Sequence, residues 1–276
     1  LPTIADGVSV SHALTSAAAK ATGLLAGTPV VLGYVDVACT ALGAGLYDTG
    51  ALPGCTIIGS TGMHMRLAPT PQDVKLNADS TGYTMPLPAP GVYAQMQSNM
   101  AATLNIDWVL SIAADLLKSQ GVPKTHHDLL GMMDGWIAEA KPASLIYQPY
   151  ISEAGERGPF IDGNARAGFL GLSMRHGFSD LVRSVVEGLT LASRDCYEAA
   201  GGCPSEVRLT GGAARSKSLR AILAATLGAK VRTSMREEAG AAGAAMIASV
   251  CLGHYETMRA CADEWVTPLL GEGEEP

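Results

Sequence analysis

Residues 206–252 restrict the fold most, because strand and helix signals alternate there with glycine at each joint. Glu206–Thr210 is a short β-branched run, Gly211-Gly212 breaks it, and a helical pattern follows from about Ser216 to Leu227. Gly228 stops that helix, Lys230–Thr233 reads as a second strand, and Glu237–Leu252 as another helix. A strand, a helix and a strand in so short a span form a crossover, so the two strands pair in parallel and the chain is an α/β protein. The same grammar opens the chain. A helical pattern over Ser11–Thr22 ends at Gly23, and Gly27-Thr28-Pro29 turns into the β-branched run Val30–Val35.

The middle has another texture. Cys55–Leu67 is an apolar run interrupted by Gly59-Ser60-Thr61-Gly62, the punctuation of a hairpin. A second hairpin is placed at Tyr83–Gln97, with Pro86, Pro88 and Pro90 crowding its turn. Long helices are expected at Ile106–Ser119, His126–Ala140 and Phe178–Ala200, the last stopped by Gly201-Gly202. The organisation expected is a lead-in, residues 1–50, followed by one α/β domain, residues 51–276. An opening without Met, charged n-region or cleavage site reads as the middle of a longer protein.

Composition works by exclusion. With 47% hydrophobic and 16% charged residues, a disordered chain or a coiled coil is ruled out. A net charge of −7 without a basic cluster argues against a nucleic-acid surface, and no apolar run is long enough to cross a membrane. Six Cys without a CxxC, in a chain this long, point to reduced thiols in a cytoplasm. Neither a metal-binding spacing nor a nucleophile elbow is present, so neither a protein-built metal site nor covalent hydrolysis is expected.

Four places could carry chemistry. Asp36 ends the Val30–Val35 run and opens a helix, which puts its carboxylate at the carboxyl end of a strand, as a helix cap or as a general base. Gly59, Ser60, Thr61 and Gly62 offer backbone N–H groups and two hydroxyls to a phosphate, or simply make a turn. Gly211, Gly212, Ala213 and Ser216 lie between a strand and a helix, where a ligand can approach closely or the chain merely turns tightly. In Glu237–Ala245, Gly240 and Ala244 belong to a small-residue face that admits either a flat ligand or another helix. His126-His127 reads as a solvated helix start.

In this order the segments resemble a known family. Ala167–Leu172, then Asp180–Gly188 after seven intervening residues, is similar to the second signature of the FGGY carbohydrate kinases. Gln148–Pro159 resembles the "PYLSGERTP" segment of the family's pentulose kinases, with a two-residue expansion. Gly211–Ser216 with Glu237–Ala245 looks like the family's adenosine-binding region, Gly59–Gly62 like its second phosphate hairpin, and Asp36 aligns with its catalytic aspartate. The hairpin reads Gly-Ser-Thr-Gly instead of the usual Gly-Thr-Ser or Gly-Thr-Thr, which keeps both hydroxyls.

The resemblance implies an actin-like (ribonuclease H-like) ATPase domain, a mixed sheet flanked by helices, as the second half of a two-domain sugar kinase. It implies transfer of phosphate from ATP, with Mg²⁺, to a hydroxyl of a small polyol or ketose of the ketopentose or tetritol class. Asp36 would accept the hydroxyl proton, and Gly59–Gly62 would hold the γ-phosphate. Gly211, Gly212, Ala213, Ser216, Gly240 and Ala244 would hold adenosine. Gln97 and Asn99 would reach sugar hydroxyls, unless Asn99 and Asn105 cap the helix that follows. The implied partner is the family's amino-terminal domain with its Asp-x-Gly-Thr loop, and a homo-oligomer is expected. Should these residues be the whole natural product, the reading becomes a non-catalytic nucleotide-binding or partner-binding module.

Overall fold

The computed structural model describes residues 4–47, 50–89, 91–236 and 238–276. Pro90 of the second hairpin's turn and Glu237 of the small-residue segment lie outside the described residues. The strands are β1 (Ser11–Ala13), β2 (Pro29–Val31), β3 (Gly54–Ile58), β4 (Gly62–Ala68), β5 (Tyr83–Pro86), β6 (Tyr93–Asn99), β7 (Ile146–Gln148), β8 (Gly168–Leu170), β9 (Glu206–Thr210) and β10 (Lys230–Thr233). The α-helices are α1 (Ser16–Thr22), α2 (Asp36–Ala44), α3 (Thr103–Ser119), α4 (His126–Glu139), α5 (Phe178–Ala199), α6 (Lys217–Leu227), α7 (Ala239–Cys251) and α8 (Met258–Trp265).

One six-stranded sheet, ordered β10-β9-β3-β4-β6-β5, forms the centre. β10, β9 and β3 run parallel, as the crossover demands, while β3-β4-β6-β5 is antiparallel throughout, the two expected hairpins joined side by side through β4 and β6. Helices cover both faces. A core of Val185, Val186, Leu209, Leu219, Leu223 and Leu110 fills the side under α3, α4, α5 and α6. On the other side, Ala41, Leu46, Cys55, Met65 and Leu67 pack under α2, and Leu42, Met246, Ile247 and Met258 join α2 to α7 and α8. The expected mixed sheet flanked by helices is present.

The lead-in differs from the reading above. The helical pattern at Ser11–Thr22 yields strand β1 and only a seven-residue helix, because Thr15 caps it by accepting from the Ala18 N–H. β2 stops at Val31, and Gly33 takes φ 71°, a left-handed turn that ends pairing. β1 and β2 pair only with each other, so Asp36 follows a two-stranded ribbon instead of closing a strand of the main sheet. α2 is built into the body, with Leu42 and Leu46 fully buried, and residues 4–35 before it pack onto that body through Val8, Val31 and Tyr34. That segment exposes Leu24, Leu25, Val30, Leu32 and Val35.

The family-like signature proves structural. Gly188 lets α5 lie directly on β7, since a Cβ there would collide with the Tyr147 carbonyl oxygen. Asp180 accepts from the Gly177 N–H at 2.9 Å and from the Ser144 hydroxyl at 3.1 Å, and Glu187 pairs with Arg183 at 2.7 Å while accepting from the Ala143 N–H. Backbone hydrogen bonding to Gly177 holds the Asp180 carboxyl below the usual range.

Beneath α5 the antiparallel strands β3, β4 and β6 present polar side chains, with Thr56, His64, Gln97 and Asn99 all buried. Tyr197 of α5 lies 2.8 Å from Thr56 Oγ1, which in turn lies 3.2 Å from His64 Nδ1. His64 Nε2 lies 3.0 Å from Asn99 Oδ1. Burial lowers the His64 imidazole to about 4. The six cysteines are free thiols.

Two outcomes follow from this packing. Gly243→Ala drives a methyl into the Cys39 carbonyl, and urea denaturation is expected to show a loss of about 1–3 kcal/mol or more. His64 stays neutral in the fold down to about pH 4, whereas the unfolded chain protonates it below about 6.5. Its contribution is therefore complete above pH 6.5 and is lost as pH falls toward 4, by about 3 kcal/mol; a His64→Gln variant should lack that slope in denaturation series.

Candidate functional site

The Gly59–Gly62 turn is pinned to the start of α3. The Ala102 N–H donates to the Ser60 carbonyl at 2.7 Å, and the Thr103 N–H to the Gly59 carbonyl at 2.9 Å. Two amides at the start of α3 are thereby satisfied by the turn, so this helix end needs no side-chain cap and has none. The turn's outer side remains open: Ser60 is exposed and Thr61 half-buried, and neither hydroxyl has a partner among the described residues.

The second corner is Gly211–Ser216. Gly211 takes φ 94° and presses against β3, where a Cβ would lie 2.5 Å from the Ile58 carbonyl oxygen, so glycine is required. A short 3₁₀ turn, Gly212–Arg215, leads to Ser216, which caps α6 by accepting from the Leu219 N–H and donates to Asp134 Oδ1 at 2.8 Å. These residues form one wall of a cavity of about 540 Å³, facing Thr103, Ile106, Asp107, Leu130 and Met133 from α3 and α4. Thr103 both holds the hairpin turn and lines the cavity, which makes the two glycine corners neighbours. On the far side of Gly211-Gly212 a second cavity of about 420 Å³ is lined by Thr210, Ser234, Arg236 and Glu238 at the start of α7.

Asp36 is the first residue of α2, and Val35 is the residue before the helix, so Asp36 is not the N-cap. Its Oδ1 accepts from the Val37 N–H at 2.8 Å, its carbonyl accepts from the Thr40 hydroxyl, and it is exposed. α2 meets α7 almost without separation. A Cβ on Gly43 would collide with the Ala239 carbonyl and one on Gly243 with the Cys39 carbonyl, while Gly240 faces Thr40. The small-residue face of α7 is thus covered by α2 and not open to a base; Ala244 points outward. This contact sets Asp36 one turn from the Thr40–Gly240 junction.

Gln97 and Asn99 are not at an open surface. Asn99 is 5% exposed, and both hydrogens of its amide are engaged, by the Gly158 carbonyl at 3.0 Å and by Cys196 Sγ at 3.3 Å. Gln97 is 2% exposed and donates to the Thr81 carbonyl. The cap reading fails as well: the residue before α3 is Ala102, and Asn105 is wholly buried, accepting from the Tyr147 hydroxyl at 2.9 Å. Next to them, Glu156 takes the N–H groups of Met100 and Arg157, each at 2.8 Å, and burial raises its carboxyl.

The cavity walls from α3 and α4 were not foreseen. Gly131, a costly residue inside a helix, was the available signal: nothing lies within 4 Å of where its Cβ would be, because it faces the cavity. No cluster of three or more His, Cys, Asp or Glu suited to a metal occurs among the described residues, and no described helix is long and apolar enough to cross a membrane.

Comparison with known proteins agrees with this architecture. A model of the FGGY family of carbohydrate kinases, C-terminal domain, matches residues 54–252. The chain is 58% identical over 276 residues to an erythritol kinase from Brucella abortus, covering 100% of this chain and 53% of that protein. It is 30% identical over 254 residues to a xylulose kinase from Escherichia coli, covering 91% of this chain and 49% of that protein. The structure superimposes on a ligand-bound xylulose kinase from Lactobacillus acidophilus with a TM-score of 0.83 at 22% identity, over 100% of this chain and 53% of that one. The chain thus spans about half the length of the relatives it matches. On its matched domain and its sheet architecture together, this chain belongs to the FGGY family of carbohydrate kinases.

Proposed function

We propose that this chain is the nucleotide-side half of a kinase that transfers the γ-phosphoryl group of ATP to a hydroxyl of a small polyol or ketose. The erythritol kinase likeness puts a tetritol ahead of a ketopentose. One observation carries the reading: Gly212, Ala213 and Ser216 line a cavity of nucleotide-base size together with Thr103, and Thr103 also holds the Gly59–Gly62 turn, whose Ser60 and Thr61 hydroxyls are open. Gly212, Ala213 and Ser216 hold the adenosine side, with Ile106, Leu130 and Met133 enclosing the base. Gly59–Gly62 presents amides and hydroxyls to the phosphates. Gly240 serves by letting α2 approach at Thr40, while Ala244 points outward from that contact.

Asp36, exposed at the first turn of α2, takes the proton from the attacking hydroxyl. Mg²⁺ on the triphosphate oxygens would neutralise their charge, with the open Ser60 and Thr61 hydroxyls as the oxygen donors this corner offers it. The remaining half of the catalyst is the amino-terminal domain that makes up the rest of the relatives, facing this cavity and supplying much of the sugar pocket. The exposed apolar side chains of residues 4–35 fit that role as partner surface.

Three measurements test this. In the protein carrying both halves, Asp36→Asn should reduce turnover by well over tenfold; survival within tenfold, about 1.4 kcal/mol, removes Asp36 as the base. Added to this chain at about 100 times Kd, MgATP should stabilise it by about 2.7 kcal/mol in thermal denaturation. No shift would leave a structural or partner-binding module. Sedimentation of the isolated chain should show self-association, and a strict monomer at high concentration would deny the lead-in its role as a covered surface.

A further inference from the structure

We infer that His64 is a positioning residue for the phosphate hairpin, acting through Asn99 on the one glycine, Gly62, that closes the turn. The inference rests on the reading of Gly59–Gly62 as the phosphate corner. Asn99 Nδ2 donates to the Gly158 carbonyl, which orients the amide and leaves Oδ1 as a pure acceptor toward His64. His64 Nε2 therefore carries the ring proton, and Nδ1 accepts from the Thr56 hydroxyl. Thr56 in turn accepts from the Tyr197 hydroxyl. The result is a chain of hydrogen bonds all pointing one way, from α5 through β3 and β4 to β6 and on to Gly158, with every link buried.

This chain ends under the turn. Gly62 pairs with Asn99 in the β4–β6 register, and a Cβ on Gly62 would lie 3.1 Å from both Asn99 Oδ1 and His64 Nε2. The His64–Asn99 bond thus fills the space directly beneath the last residue of the turn. The residues between β6 and α3 carry the constraint onward: Met100 is held by Glu156, and Ala102 and Thr103 hold the Ser60 and Gly59 carbonyls. His64 never reaches solvent or the cavity, at 1% exposure, so it works by fixing where the hydroxyls of Ser60 and Thr61 stand.

The two nitrogens of the ring can be separated by substitution. His64→Gln keeps a donor at the Nε2 position, facing Asn99, and loses the Thr56 contact; His64→Asn keeps a group facing Thr56 and loses Asn99. With MgATP as probe, His64→Gln should bind within about threefold of the parent and His64→Asn at least tenfold more weakly, though both lose comparable stability. Amide exchange at Ser60–Met63 should quicken about tenfold in His64→Asn alone. Equal behaviour of the two variants, or a His64→Asn protein indistinguishable from the parent, would overturn the inference. If the parent itself fails to bind MgATP, the phosphate reading falls, while amide exchange still decides the positioning role. Should His64→Asn not fold, ¹⁵N spectra of the parent's ring decide: the neutral Nε2–H tautomer at pH 7 supports it, and the Nδ1–H tautomer or a charged ring refutes it.

Discussion

The arrangement of the site depends on one steric constraint, the contact of α2 with α7 through Gly43 and Gly243. Each glycine sits where a Cβ would enter the carbonyl of the opposing helix, at Ala239 and at Cys39. Two backbones this close fix the position of both helix starts. The start of α2 carries Asp36, and the start of α7 borders the cavity on the far side of Gly211-Gly212. Packing at native density tolerates no added methylene there, so the separation is set by the residue type itself.

The second determinant is the way the hairpin turn is held. Turns of Gly, Ser and Thr are common and usually loose, yet here both carbonyls of Gly59 and Ser60 are bonded to the start of α3. The polar layer beneath α5 holds the strand below, and Glu156 holds the strand exit at Met100. A turn tied on three sides can present hydroxyls in a fixed geometry with little ordering left to do on binding, which is the condition for charge stabilisation of a transferring phosphoryl group. The FGGY-like signature contributes to this indirectly. Its residues dock α5 on β7 and cap the helix, and α5 supplies Tyr197 and Cys196 to the polar layer.

Much of the fold could be read locally. β9 and β10 and the helix between them, both hairpins and the long α5 emerged within a residue or two, because each is bounded by glycine or a cap and carries a clear period. The lead-in could not be read this way. Ser11–Ala13 has helical neighbours, and only pairing with Pro29–Val31 makes it a strand. The family resemblance suggested Gln97 and Asn99 as groups that reach sugar hydroxyls, and a local pattern could not show that both are buried with their amides turned to the Thr81 and Gly158 carbonyls. The cavity walls from α3 and α4 carry ordinary amphipathic patterns, so the apolar period of Ile106, Leu130 and Met133 does not show that they also line a cavity.

By itself, the amino-acid order determined the α/β class, the parallel crossover, the position of two glycine-bounded turns and a carboxylate at the start of a helix, all consequences of dihedral preference and periodicity over a few residues. Only the tertiary structure decided which face of α7 meets α2, which amides are open and which buried, and that Thr103 joins the hairpin to the cavity. Those outcomes arise from contacts between residues far apart in the chain, where excluded volume and the satisfaction of buried polar groups select one packing among many that local preference would allow.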